Sequence, residues 1–437
     1  MTFMADIVFG KSEYVERQEV LMAELPSSSV LIIPNNIHSV RSNDTKYPYR
    51  ANSYLMYLSG WEESDSLLVI SNVSGTSKST LFVKPRDIKS EIWEGRIIGV
   101  EGAIENWPID HARPTSEFEE FLNENLELCS NLFLISEIDQ QIDDMVRKKW
   151  KGEILDPRSF IDPMRSIKSQ SEIELMKRAA TIASEAHVIA MSVSKPDIGE
   201  WELQSVIESH FTMNRSTNSY NPIVGGGDNA TILHYNSNSK LIEEGKLVLI
   251  DAGCEVHGYA SDITRTWPVS GKFSQSQREI YELVLKAELA AIDACQVGSP
   301  WDSMHHAASR ILAAGLIELG ILDCSMEDAL GKKFDGEYRK FFMHGTGHML
   351  GLDVHDVGGG RQGGEPGPVL KSGMVVTIEP GLYFSSWRED ISVPKKYSGI
   401  GVRIEDDILI TEDGPVVLTD GCPKTIDEIE SIVGSAL

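Results

Sequence analysis

Residues 247–269, LVLIDAGCEVHGYASDITRTWPV, hold two aspartates at matching points of two apolar runs. Asp251 ends the first run, Asp262 lies in the second, and Glu255 to Gly258 between them is turn-like. A hairpin centred between Val256 and His257 puts Asp251 directly opposite Asp262. Like charges facing each other in a β-pair destabilise it, and burial adds to the cost. A bound cation would resolve the conflict. Two solvated strand ends would also resolve it, and the spacing alone favours neither. Further on, His344-Gly-Thr-Gly-His348 sets two histidines at i and i+4, the spacing of zinc-binding HExxH helices, but without the Glu. Gly345 and Gly347 disfavour a helix interior, so a turn or strand end is expected there. His355 follows in GLDVHDVG, Glu379 ends an apolar run before Pro380-Gly381, and Arg403-Ile404-Glu405 opens another run. Any one of these alone reads as an ordinary core or surface residue. Together, Asp251, Asp262, Glu379 and Glu405 supply about four negative charges and His348 a neutral nitrogen. Two divalent ions would balance them. An oxygen-rich set with one imidazole suits manganese better than a structural zinc. Two ions about 3.5–4 Å apart can share a water, lower its pKa and polarise a carbonyl.

The elements that must position these residues are legible from periodicity. Strands are expected at Lys246–Asp251, Ser261–Pro268, Met374–Glu379 and Gly401–Thr411. Helices are expected over 201–211, 278–297 (ended by Gly298 and Pro300) and 303–319. Ser169 and Glu172 have capping-box spacing ahead of an apolar stripe of Ile173, Met176, Ala180 and Ala183. A domain therefore starts at 169. The half before it alternates strand-like runs (Val30–Pro34, Ser66–Ile70, Thr80–Val83) with helical stretches such as Ser116–Leu126. The expectation is an α+β protein: an N-terminal α/β domain over 1–168 and a catalytic domain over 169–437. Gly358–Gly367 reads as a loop, without the strand-then-helix setting of a phosphate-binding site.

Composition narrows the function classes. The chain has 437 residues, 41% hydrophobic and 24% charged, which is ordinary for a globular protein. Its 40 basic and 66 acidic residues leave a formal charge of −26, which argues against nucleic-acid and anionic-membrane partners. Five scattered cysteines without a CxxC pair argue against a disulfide framework. The start, MTFMADIVFGKSEY, lacks a basic segment followed by an apolar one, and no run approaches the ~20 apolar residues of a membrane span. The cytoplasm is the expected location. His305-His306, on an expected helix, reads as surface.

The ordered set Asp251, Asp262, His348, Glu379 and Glu405 resembles the five-ligand signature of pita-bread metallopeptidases. YNPIVGGGDNATILHY (220–235), HGTGHMLGLDVHDVG (344–358), TIEPGLY (377–383) and GIGVRIEDDILIT (399–411) resemble that family's aminopeptidase P branch. So do KYPYRANSYLMYLSGW (46–61) and VKPRDIKSEIWEGRIIGVEGA (83–103) in the first half. Gly347 stands where Ser is expected in many relatives. The resemblance implies a C-terminal pita-bread domain with two divalent metal ions, manganese by its donor set. Asp262 and Glu405 would bridge both ions, Asp251 would hold one, and His348 and Glu379 the other. A metal-bridging hydroxide would attack the carbonyl before proline in peptides with proline at the second position, with Glu379 as general base. His234 and His355 match positions that orient substrate and stabilise the tetrahedral intermediate, and His344 and Arg403 match supporting positions near the proline. Trp93 resembles a tryptophan that reaches a neighbouring subunit's site in a homodimer or homotetramer. Local core packing is the competing reading of Trp93. Prolidase, a non-enzymatic scaffold and a metal-free creatinase-like hydrolase are the alternatives. The N-terminal motifs disfavour the first, and the complete ligand set disfavours the other two.

Overall fold

The computed structural model of the chain describes residues 7–73, 75–360 and 367–436. They fall into two compact units, residues 1–165 and 166–437, against an expected boundary after Lys168. The first unit is built on strands β1 (Ser29–Pro34), β2 (Leu67–Ser71), β3 (Lys78–Val83), β4 (His111–Pro114), β5 (Asn131–Leu134) and β6 (Ile154–Leu155). They form one mixed sheet in the order β4-β3-β2-β1-β5-β6. Every residue of β1 is buried, as the unalternating run SVLIIP suggests for a strand covered on both faces. On one face, helix α1 (Phe118–Leu126) brings Phe118 and Phe121 edge-on to Phe82, with ring centroids 5.3 and 5.2 Å apart.

The second unit opens with helix α2 (Gln170–Val193). Its capping box is formed: the Glu172 N–H donates to Ser169 Oγ and the Ser169 N–H to Glu172 Oε2. The expected stripe is buried, and Ala179, Ala183, Ala186 and Ala190 let the helix lie close on the sheet, sharing a core with Val248, Ile250 and Trp267. Helices α3 (Glu200–Met213), α4 (Gln275–Asp293) and α5 (Asp302–Glu318) complete this layer. The helix expected over 278–297 begins earlier, because Ser274 and Gln277 form a capping box, and it ends at Asp293. Gly298, at φ 87°, lies in the turn beyond it. Strands β7 (Ile223–Gly226), β8 (Leu247–Asp251) and β9 (Thr264–Pro268) form one antiparallel sheet in the order β7-β8-β9. Strands β10 (Val375–Ile378), β11 (Gly381–Phe384), β12 (Ile400–Arg403), β13 (Asp406–Thr411) and β14 (Gly414–Val417) form two more antiparallel sets, β10-β13-β14 and β11-β12. The expected single strand Gly401–Thr411 is thus two strands with different partners, broken at Ile404 and Glu405. The strand expected over Ser261–Pro268 begins only at Thr264. Of the expected loop Gly358–Gly367, residues 361–366 lie outside the described ones. No described helix is long and apolar enough to cross a membrane.

Candidate active site

Strand ends and breaks deliver the charged residues. The turn joining the β8 and β9 runs is His257-Gly258, both with positive φ (50° and 81°), flanked by the pair Val256 and Tyr259. Its centre lies one residue beyond the expected one, so Asp251 faces Thr264 and not Asp262. The two-residue turn needs left-handed backbone at both positions, and a histidine gives no sequence sign of it. Past Asp251 the two runs close tightly: a Cβ on Gly253 would lie 1.8 Å from the Ser261 carbonyl oxygen. Asp262, two residues before Thr264, falls on the same face and lies diagonally across from Asp251. The Asp262 N–H donates to both Asp407 carboxylate oxygens, at 3.2 and 3.3 Å.

The two aspartates meet through Tyr220, whose hydroxyl oxygen lies 2.5 Å from Asp251 Oδ1 and 2.6 Å from Asp262 Oδ1. One hydroxyl proton serves two carboxylates, so the pair is short of positive charge. Arg403, at the end of β12, donates from Nη2 to Asp251 Oδ2 (2.6 Å), from Nη1 to the Tyr383 hydroxyl (3.0 Å) and from Nε to Thr264 Oγ1 (3.0 Å). Thr264 in turn donates to Glu405 Oε2 at 2.6 Å. Arg403 and Glu405 both face one cavity, while Asp407 is buried against the backbone of Asp262.

The turn His344–His348 runs beside β10. The Glu379 N–H donates to the Thr346 carbonyl (2.8 Å), and the Thr377 N–H donates to the His348 carbonyl (2.9 Å). Gly347 permits this closeness, since a Cβ there would lie 1.9 Å from the Thr377 carbonyl oxygen. His348 Nδ1 donates to the Met349 carbonyl (3.0 Å), which leaves Nε2 as the ring nitrogen that faces the cavity. Nε2 stands 3.4 Å from Asp262 Oδ2 and 3.8 Å from Glu379 Oε1. Asp262, His348 and Glu405 present ligand atoms all within 4.8 Å of one another. His344 bonds the Tyr383 hydroxyl through Nε2 (2.7 Å), and its Nδ1 lies 3.5 Å from Glu379 Oε2.

The electrostatics of the group are lopsided. Burial first, and then neighbouring carboxylates, push Glu405 well above the usual carboxylate range. Burial likewise raises Asp251, although Arg403 opposes it, and lifts Glu379 to about 7. Burial pulls the His348 imidazole down, but Asp262 and Glu379 more than offset this and hold it at about 9. Buried His344, beside Arg403, falls to about 3, and burial also lowers His355. Carboxylates that bind protons this tightly are short of a cation. Hard oxygen donors with one imidazole fit a divalent metal ion.

A cavity of about 480 Å³ is lined by Asp251, Asp262, His348, Glu379 and Glu405, together with His234, His344, His355 and Arg403. The structure thus gathers nine of the ten residues singled out in the sequence. The tenth, Trp93, lies in the first unit on a helix (Ile88–Glu94) that buries none of its residues, and is itself 88% exposed. That excludes core packing as its explanation. Sequence reading missed Tyr220, Thr264, Tyr383 and Asp407. Tyr220 could have been found as the residue that opens YNPIVGGG. The surface reading of His305 is also corrected: it is half-buried, 2.8 Å from the Thr346 hydroxyl.

A carboxylate-rich centre with one inward imidazole, set between strand ends and backed by helices, defines a metallopeptidase of the pita-bread class. The profile of metallopeptidase family M24 matches residues 174–412, and that of the aminopeptidase P N-terminal domain matches residues 14–133. The Xaa-Pro aminopeptidase of Haemophilus influenzae is 42% identical over 436 residues, covering 99% of each chain. That of Escherichia coli is 38% identical over 445 residues, covering 98% of each. The structure of Pseudomonas aeruginosa aminopeptidase PepP superposes with a TM-score of 0.93 at 37% identity, over 98% of this chain and 99% of the other. The chain belongs to metallopeptidase family M24, in its aminopeptidase P branch.

Proposed function

We infer that this chain is a metallo-aminopeptidase that hydrolyses the bond between an N-terminal residue and a following proline. The observation that carries the reading is the convergence of four carboxylates and an inward imidazole in one cavity ringed by His234, His344, His355 and Arg403. A full-length match to relatives named Xaa-Pro aminopeptidase supports the substrate class. A bond to proline has no amide hydrogen and a restricted φ, so it suits few peptidases. The acidic cavity attracts the free amine of a peptide's first residue, which favours cleavage after that residue.

Two divalent ions, manganese by the donor set, would be held by Asp251, Asp262, His348, Glu379 and Glu405. When bound, they supply Lewis-acid polarisation of the scissile carbonyl and a nucleophile at neutral pH. Glu379 takes the proton of the attacking water at its carboxylate and returns it to the proline nitrogen as the C–N bond breaks. His234 and His355 donate to the developing oxyanion, where a preorganised donor acts most strongly. His344 and Arg403 hold the proline side. Trp93, exposed between charged neighbours, has the character of an interface residue and would close a neighbouring subunit's cleft in a homodimer or homotetramer. Five cysteines without a disulfide are in keeping with a reducing, cytoplasmic setting.

The test is hydrolysis by metal-stripped protein with manganese, cobalt or zinc added back. Three substrates are compared: an Xaa-Pro-Xaa-Xaa peptide, its alanine analogue and the Xaa-Pro dipeptide. Release of the first residue from the first peptide, dependent on metal, is the expected result. Equal rates on the alanine analogue would refute the proline requirement, and activity confined to the dipeptide would make the protein a prolidase.

A further inference from the structure

Between His344 and His348 the chain offers one side chain other than glycine, that of Thr346. Glycines on both sides leave the backbone its widest freedom, yet this turn presents His348 and accepts the Glu379 N–H at the Thr346 carbonyl. Something must hold it, and the anchors lie on the side away from the substrate cavity. There a second cavity, of about 500 Å³, has Gly345, Thr346 and Gly347 as one wall and His305 of α5 as another. His305 Nδ1 lies 2.8 Å from Thr346 Oγ1. His305 Nε2 lies 3.2 Å from the Tyr338 hydroxyl, which itself donates to the Phe334 carbonyl at 2.9 Å. The Ser309 hydroxyl lies 3.3 Å from the same Nε2 and donates to the Tyr338 oxygen at 3.1 Å, so both ring nitrogens of His305 are engaged, Nδ1 by Thr346. Phe334 holds a left-handed φ of 57° that bulky residues rarely take, with the His306 ring stacked on it at 3.9 Å. Arg339 adds a second clamp, donating to the Met343 and His344 carbonyls at 2.7 Å each.

We infer that His305 is a positioning residue for the turn of the metal site: it holds Thr346 by its hydroxyl, and through it the backbone that carries His348 and orients Glu379. This rests on the reading of the neighbouring cavity as a metal-dependent active site. His305 touches neither substrate nor the reacting atoms. Its effect therefore belongs in kcat and metal affinity rather than in substrate binding.

The experiment compares Thr346→Val, His305→Leu, His305→Asn and the Thr346→Val/His305→Leu double variant. Manganese affinity is measured by calorimetry on metal-stripped protein, and kcat and KM on manganese-loaded protein. Thr346→Val keeps the shape and removes the hydroxyl. It should weaken manganese binding and lower kcat by about tenfold each, the lower end of what outer partners of a metal site contribute. KM should stay within about twofold. His305→Asn, which keeps a polar atom near Nδ1, should recover most of the loss seen in His305→Leu. The double variant should lose no more than the worse single one, since partners in one contact are not additive. Wild-type manganese affinity and kcat in Thr346→Val would overturn the inference, as would additive losses in the double variant. If His305→Leu does not fold, Thr346→Val decides alone. Wild-type protein that binds no manganese would remove the parent reading as well, whereas wild-type binding with unaltered variants would remove only this inference.

Discussion

Two groups of buried charge lie back to back in the catalytic unit, and they separate between consecutive residues. Glu405 faces the cavity with Asp251, Asp262 and Glu379. Asp406, one step along the strand, faces inward, where Arg265 Nη2 donates at 2.7 Å and Lys424 Nζ at 2.5 Å. Glu288 accepts from the same lysine at 2.8 Å. The inner group contains two cations for its two carboxylates: Arg265 with Lys424 holds Asp406 below the usual carboxylate range despite burial, while burial and the neighbouring Asp406 raise Glu288 well above it. The outer group has Arg403 against four carboxylates, and Glu405 is pushed far the other way. Burial is similar, at 2% exposure for Glu405 and 0% for Asp406, so burial does not separate them. What separates them is whether the chain supplies the countercharge. The inner group carries the countercharge that Asp406 needs, and the outer one is built to receive cations.

The largest test of that contrast exchanges one carboxylate in each group. Asp406→Asn leaves two buried cations short of their partner and should cost roughly 3–5 kcal/mol in urea unfolding. Glu405→Gln should do the opposite in metal-free protein. A carboxyl whose folded pKa is raised loses stability as pH climbs above its unfolded value, so at pH 7.5 the metal-free variant should melt above the wild type. Destabilisation by both changes would erase the distinction.

A buried group of opposite sign sharpens it. Burial, with Arg265 nearby, lowers His187 to about 4. Its unfolded form takes up a proton near 6.5 and its folded form does not. Stability present above pH 6.5 is therefore lost as pH falls toward 4, by about 3 kcal/mol over that window. His187→Leu should flatten this part of the stability profile, and an unchanged slope would assign the acid loss elsewhere.

Next come the histidines that bear on the reaction without belonging to the charge balance. His355→Ala and His234→Ala should each lower kcat by about a hundredfold while metal content stays at the wild-type level. Near-normal turnover in both would return them to a structural role. The smallest effect concerns Trp93. Exposed as it is, Trp93→Ala should change stability by less than about 0.5 kcal/mol, yet alter rates on longer peptides. Sedimentation as a fully active monomer would remove the shared-cleft role.

The contrast also explains what was legible in the sequence. Asp251, Asp262, His348, Glu379 and Glu405 could be named because each is a charged residue at the edge of an apolar run, and such edges survive small errors in element boundaries. The register of Asp251 could not be read, because the turn depends on His257 taking a left-handed backbone. The break at Ile404–Glu405 was hidden inside an unbroken apolar pattern and depends on the Glu405 N–H finding the Thr264 carbonyl. Tyr220, Asp406 and His305 find partners 31, 141 and 41 residues away, respectively, in Asp251, Arg265 and Thr346. No local spacing announces contacts of that kind. The inner group was missed entirely, since buried pairs that balance leave no unmet charge to notice.

Calorimetric titration of metal-stripped wild-type protein with manganese asks whether the outer group receives cations. Two ions per chain should be taken up, with release of protons from the cavity carboxylates and His348, and that uptake should be lost in Asp262→Asn but not in Lys424→Met. Wild-type protein that binds no manganese at saturation would contradict that role of the outer group.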